Sequence, residues 1–376
     1  MGSGKSLLFP LLRGDEILIR VAIVLEDFSI GGAQRVVSEL VQNLNQEKII
    51  LLVLCLKKRD ATDLAEEVEK IAYVRYLNIK GKNLIMNYAR VSDELRKFAP
   101  DVIHAHLVGQ LYSVPWGLLH NVPVVITAHT KPEKAFIKKI EWLINYGVKH
   151  RRIWIVAVSE ENQAIINKYF SESEQQCVCI NNGINIKKFY RVQHNLFTYI
   201  NVARQDENKN QVAIIHAFQK IYMQHKEVHL ILVGDGPCHD MLVYEAKKLG
   251  LIDAIDLPGS VGNVSDYYAV SDVYIQASHR EAMPMSVLEA MAAGLPIIST
   301  DVGGLNDVVK NNGFLISDND DEALYDAMVT VATMAESELK KMSGVSKTTS
   351  EEYSSENMAQ EYTRLYFKIG KGLMNE

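Results

Sequence analysis

Short, almost wholly apolar runs alternate with helical patterns along this chain, and they do so twice over. The first set is RVAIVLE (20–26), IILLVLCL (49–56), YVRYL (73–77), DVIHAH (101–106), PVVITAH (123–129) and IWIVAVS (153–159). These runs are rich in β-branched residues and lack polar alternation, as expected of strands covered by helices on both faces. Strand–helix–strand alternation of that kind specifies a parallel sheet. The pattern then restarts with TYINVAR (198–204), VHLILVGDG (228–236), IDLPG (255–259), DVYIQAS (272–278) and PIIST (296–300). Helical patterns at 211–225 and 238–250 lie between them, the second closing on Gly250 as a C-cap signal. The expected fold is α/β: two Rossmann-like units with parallel sheets, residues 1–182 and 183–353, joined near 181–197. A last helical pattern, about 354–376, fits on either unit and is free to pack back on the first.

Length supports the division, because 376 residues exceed one comfortable core. Hydrophobic residues at 48% and charged residues at 23% describe a soluble globular chain. The net charge of −6 argues against a general nucleic-acid binder. It is unevenly divided, 23 basic against 20 acidic residues up to 180 and 17 against 26 beyond, which suggests halves that face different partners. No stretch approaches the ~18 apolar residues of a membrane span, and LLFPLL is too short for a signal peptide. Four cysteines make no disulfide framework, and Cys177 and Cys179 lack the second pair that zinc requires. A reducing cytoplasmic setting is expected.

Several stretches carry chemistry-bearing residues at the ends of these strands, where open α/β sheets bind ligands. The opening MGSGKS lacks the upstream glycine and strand of a phosphate loop and is read as accidental. SIGGAQRVVSEL (29–40) is better placed: Gly31 and Gly32 leave the first strand and open a helix. It reads equally as an anion site at a helix start or as a tight turn. Gly234 in LVGDGP repeats the device without a full dinucleotide fingerprint. Arg204 and Lys209 follow the strand 198–204 and suit a diphosphate, or else form a solvated mixed-charge loop. His129, at the end of PVVITAH, is a base, a hydrogen bonder to a sugar hydroxyl or a structural residue. His104 and His106 share a strand face and read as structure or cleft lining.

The segment HREAMPMSVLEAMAAG (279–294) sets Glu281 and Glu289 eight apart, Glu281 in a loop and Glu289 in the second turn of a helix with Pro284 in its first turn and Gly294 past its end. Carboxylates near a helix start have a plain electrostatic explanation. Here, though, the amides of Met285, Ser286 and Val287 point to the same strand edge. Amides and cations for a diphosphate, beside carboxylates for sugar hydroxyls, make a nucleotide-sugar arrangement. A hydrolytic carboxylate pair would not need the phosphate ligands.

At this point the residues resemble the retaining family-4 glycosyltransferases of the GT-B type. Glu281 and Glu289 match that family's E-x7-E signature. GGAQRV, AHT (128–130), VSE (158–160), NNGIN (181–185), Arg204, Lys209, VGDGP, LPGSV and AAGLPIISTDVGG follow in the family's order over about residues 20 to 370. The resemblance implies a GT-B fold, two Rossmann-like domains facing across a cleft, with a nucleotide sugar, UDP-linked by expectation, on the C-terminal domain and the acceptor on the N-terminal one. It implies that Arg204 and Lys209 neutralise the diphosphate, Glu289 holds the ribose, and Glu281 holds the donor sugar. Val261 then borders the base, Gly31 and Gly32 approach the diphosphate and acceptor side, and His129 hydrogen-bonds the donor sugar. No metal or other cofactor is implied, and DNDD (318–321) reads as a helix N-cap cluster. Two departures stand out. Met283-Pro284 replaces the usual Phe-Gly, and Asp307 stands where Glu is usual; residues 1–19 have no counterpart.

The acceptor expectation comes from 131–152, which carries seven basic residues against two acidic ones, interleaved with Phe136, Ile137, Ile140, Trp142, Leu143, Ile144 and Tyr146. Such a segment lies on an anionic membrane or is a core helix with a basic face. With the resemblance, it points to a glycan or polyprenyl-linked glycan acceptor in surface-polysaccharide synthesis, at the inner face of a cell membrane. The rival readings are a nucleotide-sugar epimerase of the same architecture, a non-catalytic partner subunit and, more remotely, a glycosidase.

Overall fold

The structure, a computed structural model, describes residues 18–29, 31–79, 83–170 and 175–370. MGSGKS and LLFPLL lie outside these. The first sheet holds β1 (Ile19–Leu25), β2 (Ile49–Cys55), β3 (Tyr73–Tyr76), β4 (Val102–His106), β5 (Val124–Ala128), β6 (Ile153–Ala157) and β7 (Cys177–Cys179), in the order β3-β2-β1-β4-β5-β6-β7. The second holds β8 (Phe197–Val202), β9 (Val228–Val233), β10 (Ile255–Gly259), β11 (Val273–Gln276), β12 (Ile297–Thr300) and β13 (Gly313–Ile316), in the order β10-β9-β8-β11-β12-β13. Every pairing within them is parallel. The apolar runs explain this: every residue of β4, β5 and β6 is buried, so both faces need a helical cover. The short edge strand β13, which begins at Gly313, carries too little apolar pattern to be read from sequence.

Two cores flank the first sheet. On one face Ala22, Val24, Ile103 and Ala105 pack against Val91, Leu95, Trp116 and Ile144 of the crossover helices. On the other, Ile19, Val21, Ile23 and Val102 meet Val36, Val37 and Leu40 of the helix Gly32–Asn43. That second core continues through Ile180 and Ile184 into Met283, Val287 and Met291 of the second half, so one apolar layer crosses the junction.

The final helix, Ser355–Gly370, returns to the first sheet. It contacts Gly32–Asn43, β1 and β4, and it buries Met358, Tyr362, Leu365, Tyr366 and Ile369 there. A Cβ on Gly370 would lie 2.6 Å from Ile19 Cδ1 and 2.8 Å from Val102 Cγ2, so a larger residue here would have to displace these side chains. In each sheet the strand order reverses once, between β1 and β4 and between β8 and β11. Those two switch points place the loops that carry the site.

Candidate active site

Two loops leave the second sheet side by side at its switch point. The loop after β8 carries Arg204 and Lys209, and the loop after β11 carries Glu281. They are tied together by backbone and side chain. The His279 N–H donates to Asn208 O at 2.8 Å, and Asn208 Nδ2 donates to Arg280 O at 3.0 Å. This brings Lys209 Nζ to 2.5 Å from Glu281 Oε1, with side chains 19% and 11% exposed. Arg204 differs, since its side chain is 70% exposed and its nearest acid, Asp206, is 3.8 Å away. An exposed cation beside an anchored one is an arrangement that suits an anionic ligand.

The helix Met285–Ala292 opens between these loops and the first sheet, and Gly294 follows it at φ +76°. Pro284 is its N-cap rather than a first-turn residue, with extended backbone. The three expected free amides reduce to two, because the Val287 N–H already donates to Pro284 O at 3.3 Å. Met285 and Ser286 remain, and Ser286 Oγ is held 2.8 Å from the buried Tyr274 hydroxyl. Gly234, at φ +127°, is required by close approach: a Cβ there would sit 2.0 Å from Ala203 O. Val261 is half-buried in the loop after β10.

Glu289 is buried, and both of its oxygens are engaged. Oε2 accepts from the Tyr268 hydroxyl at 3.2 Å. Oε1 lies 2.5 Å from Arg35 Nη1, which belongs to the helix Gly32–Asn43 of the first half. Arg35 is a residue the sequence reading missed. The signal was present in GGAQRV, a cation one turn into the helix that opens at Gly31 and Gly32. Gly31 is backed by the Gln34 side chain, whereas Gly32 is exposed with open space where a Cβ would be.

His129 sits one residue past β5, on the first sheet, with Nε2 2.9 Å from His106 Nδ1. No contact joins it to Lys209 or Glu281 among those between described residues. His104 is structural: its Nδ1 is 2.6 Å from Tyr366 OH and its Nε2 2.7 Å from Thr127 Oγ1. Thr127 Oγ1 in turn lies 2.8 Å from Tyr362 OH. Burial holds these imidazoles neutral, lowering His104 to about 3 and His129 to about 4. It also drives His106 well down, helped by its two histidine neighbours. His129 is thus a neutral ring whose Nε2 is committed to His106. These folded-state values lie below the unfolded 6.5. As pH falls from there toward 4, the unfolded chain takes up protons that the folded chain refuses. Stability is therefore lost on acidification, by about 1.4 kcal/mol per pH unit for each such histidine. The thermal midpoint should fall steadily from pH 6.5 to 4; a flat profile there would show that the folded cluster accepts protons.

The remaining expectations divide. Asp320 caps the helix Asp321–Thr333 by accepting from Ala323 N at 2.9 Å, as DNDD suggested, while Asp318 holds His279 Nδ1 at 2.7 Å. Asp307 stands near Glu160 of the first half, and burial followed by that like charge raises its carboxyl. The segment 131–152 is not one amphipathic helix. It breaks into Pro132–Ala135, a 3-10 turn at Lys138–Ile140, and Glu141–Lys149. Phe136, Ile140 and Ile144 are core, whereas Trp142 and Tyr146 stand in solvent at 68% and 54% exposure. No described helix is long and apolar enough to cross a membrane.

Comparison with known proteins agrees with the two-unit fold. Residues 30–188 match the family model described as Glycosyltransferase Family 4, and residues 184–343 match Glycosyl transferases group 1. A curated relative from Escherichia coli, UDP-Gal:alpha-D-GlcNAc-diphosphoundecaprenol alpha-1,3-galactosyltransferase, is 25% identical over 80% of this chain and 85% of its own length. Alpha-monoglucosyldiacylglycerol synthase of Acholeplasma laidlawii is 27% identical over 59% of this chain and 64% of its own. Among solved structures, HepE of Anabaena, crystallised in complex with UDP-glucose, superposes with a TM-score of 0.79 at 17% identity. That match covers 93% of this chain and 100% of the other.

Proposed function

Given that the chain belongs to the GT-B glycosyltransferases, with a family 4 first half and a group 1 second half, we propose that it moves a sugar, with retention, from a UDP-sugar to a lipid-linked glycan acceptor. The observation that carries this reading is the Lys209–Glu281 pair, fixed by two cross-tied loops at the switch point of the second sheet. Lys209 and Arg204 neutralise the diphosphate, with the amides of Met285 and Ser286 turned to the same oxygens. Glu281 accepts from donor-sugar hydroxyls and Glu289 from the ribose, while the backbone at Val261 borders the base. Gly234 lets the chain turn close beneath the phosphates. The first unit, with Gly31, Gly32 and His129, forms the acceptor wall, and the second forms the donor side.

In the transfer, the bond between the anomeric carbon and the diphosphate oxygen breaks on the face where the acceptor oxygen bonds. The acceptor proton passes to the leaving phosphate. Charge develops on that phosphate, and fixed cations and amides lower the barrier because they need no reorganisation. Two cations and a helix start perform the task that a divalent ion performs elsewhere.

The acceptor class is supported by the E. coli relative, whose name specifies a diphosphoundecaprenol-linked sugar, and by the exposed Trp142 and Tyr146 within a basic segment. Aromatic rings flanked by lysines suit the surface of an anionic bilayer, and so a peripheral position at the inner face of a cell membrane. One experiment tests both parts. Tagged UDP-, GDP- and ADP-sugars are offered with a membrane extract, and the protein is spun with anionic vesicles at low and high salt. The expected result is transfer from a UDP-sugar that depends on the extract, with salt-sensitive vesicle binding. Conversion of the donor without any acceptor would favour an epimerase, and equal recovery in the supernatant with and without vesicles would remove the membrane contact.

A further inference from the structure

Arg35 and Glu289 are 254 positions apart and join helices from opposite walls of the cleft. Their surroundings are unequal. The Glu289 side chain is 3% exposed, whereas Arg35 retains 29%. The other partner of Glu289, Tyr268, is fully buried and comes from its own half, so it does not leave when the walls separate. Arg35 is therefore the group that covers this carboxylate from the cleft side. A ribose reaches Glu289 only when Arg35 moves.

We propose that Arg35 is an interdomain latch that holds the cleft closed over Glu289 and competes with the nucleotide ribose for that carboxylate. Donor binding then exchanges one buried ion pair for hydrogen bonds from ribose hydroxyls. The inference rests on the reading of Glu289 as the ribose carboxylate.

Three features support the exchange. A buried ion pair gains little net stability over its desolvation cost, so the closed form is held weakly enough to be displaced. Hydrogen bonds to a charged group are stronger than neutral ones, so two ribose hydroxyls can replace a guanidinium on this carboxylate. And the halves stay joined when Arg35 lets go. Asn182 Nδ2 donates to Met283 O at 3.0 Å beside the connecting segment, and the final helix remains docked on the first sheet.

The latch lowers apparent nucleotide affinity by the fraction of time it is open. Removing the cation should both open the cleft and tighten binding. The test compares wild type, Arg35→Gln and Arg35→Lys by two readouts: radius of gyration of the nucleotide-free protein by small-angle scattering, and calorimetric affinity for UDP, GDP and ADP. Arg35→Gln should be more expanded and bind UDP roughly three- to tenfold tighter. Arg35→Lys should stay near wild type in both. An unchanged radius for Arg35→Gln overturns the latch, and so does expansion with equal or weaker UDP binding. Expansion while none of the three nucleotides binds any variant keeps the closing role and overturns the nucleotide-sugar reading instead.

Discussion

Replacing Lys209 by alanine lowers kcat by about a hundred- to a thousandfold and leaves the KM for the donor within about threefold. Removal of one preorganised contact to developing charge costs about 2.7–4 kcal/mol of transition-state stabilisation. Lys209 is preorganised in that sense: its loop is pinned by the bonds from His279 N–H and Asn208 Nδ2, and its ammonium is fixed on Glu281. In the proposed site the ground-state diphosphate keeps Arg204 and the helix amides, so binding is expected to suffer less than turnover. Steady-state kinetics with saturating acceptor separate the two. Unchanged kcat with a raised KM would mean that Lys209 binds substrate and transition state equally.

Deleting residues 354–376 abolishes cooperative folding of the first sheet. The final helix places Met358, Tyr362, Leu365, Tyr366 and Ile369 into the layer against β1, β4 and the helix Gly32–Asn43. At about 1.5 kcal/mol for each fully buried side chain, the low end of the usual range, their loss comes to ~7.5 kcal/mol. A whole domain has only about 5–15 kcal/mol to lose. The deletion also strips the hydroxyl partners of His104 and Thr127, which leaves buried polar atoms unsatisfied. Thermal unfolding by circular dichroism reads the result, and a truncated chain that melts at the wild-type midpoint would refute it. Tyr366→Phe is the mild control: it keeps the ring, removes the bond to His104 and should cost about 1–3 kcal/mol.

Much of the candidate site was legible because its residues lie close together in the chain or at strand ends. Glu281 and Glu289 share one loop and helix, and Arg204 and Lys209 share another. The loops holding them follow strands that an apolar run announces. The amide of Val287 was misjudged because a local bond to Pro284 O is a detail of cap geometry that residue type does not encode. Arg35 was missed for a different reason: its partner is 254 positions away, and a lone cation on an amphipathic helix looks like any solvated charge. The segment 131–152 shows the reverse error of scale. Its composition is amphipathic, but the backbone breaks twice, so some of its apolar residues turn inward and Trp142 and Tyr146 turn outward.

By itself the sequence determined two parallel α/β sheets and the residues at the carboxyl edge of the second. Strand identity and loop position follow from local periodicity, which every short window of chain carries. Only the tertiary structure decided which unit receives the last helix, that His129 leans on His106, and that Arg35 closes over Glu289. Those contacts depend on how two separately patterned layers meet, and a surface that fits either neighbour is assigned by packing, not by pattern.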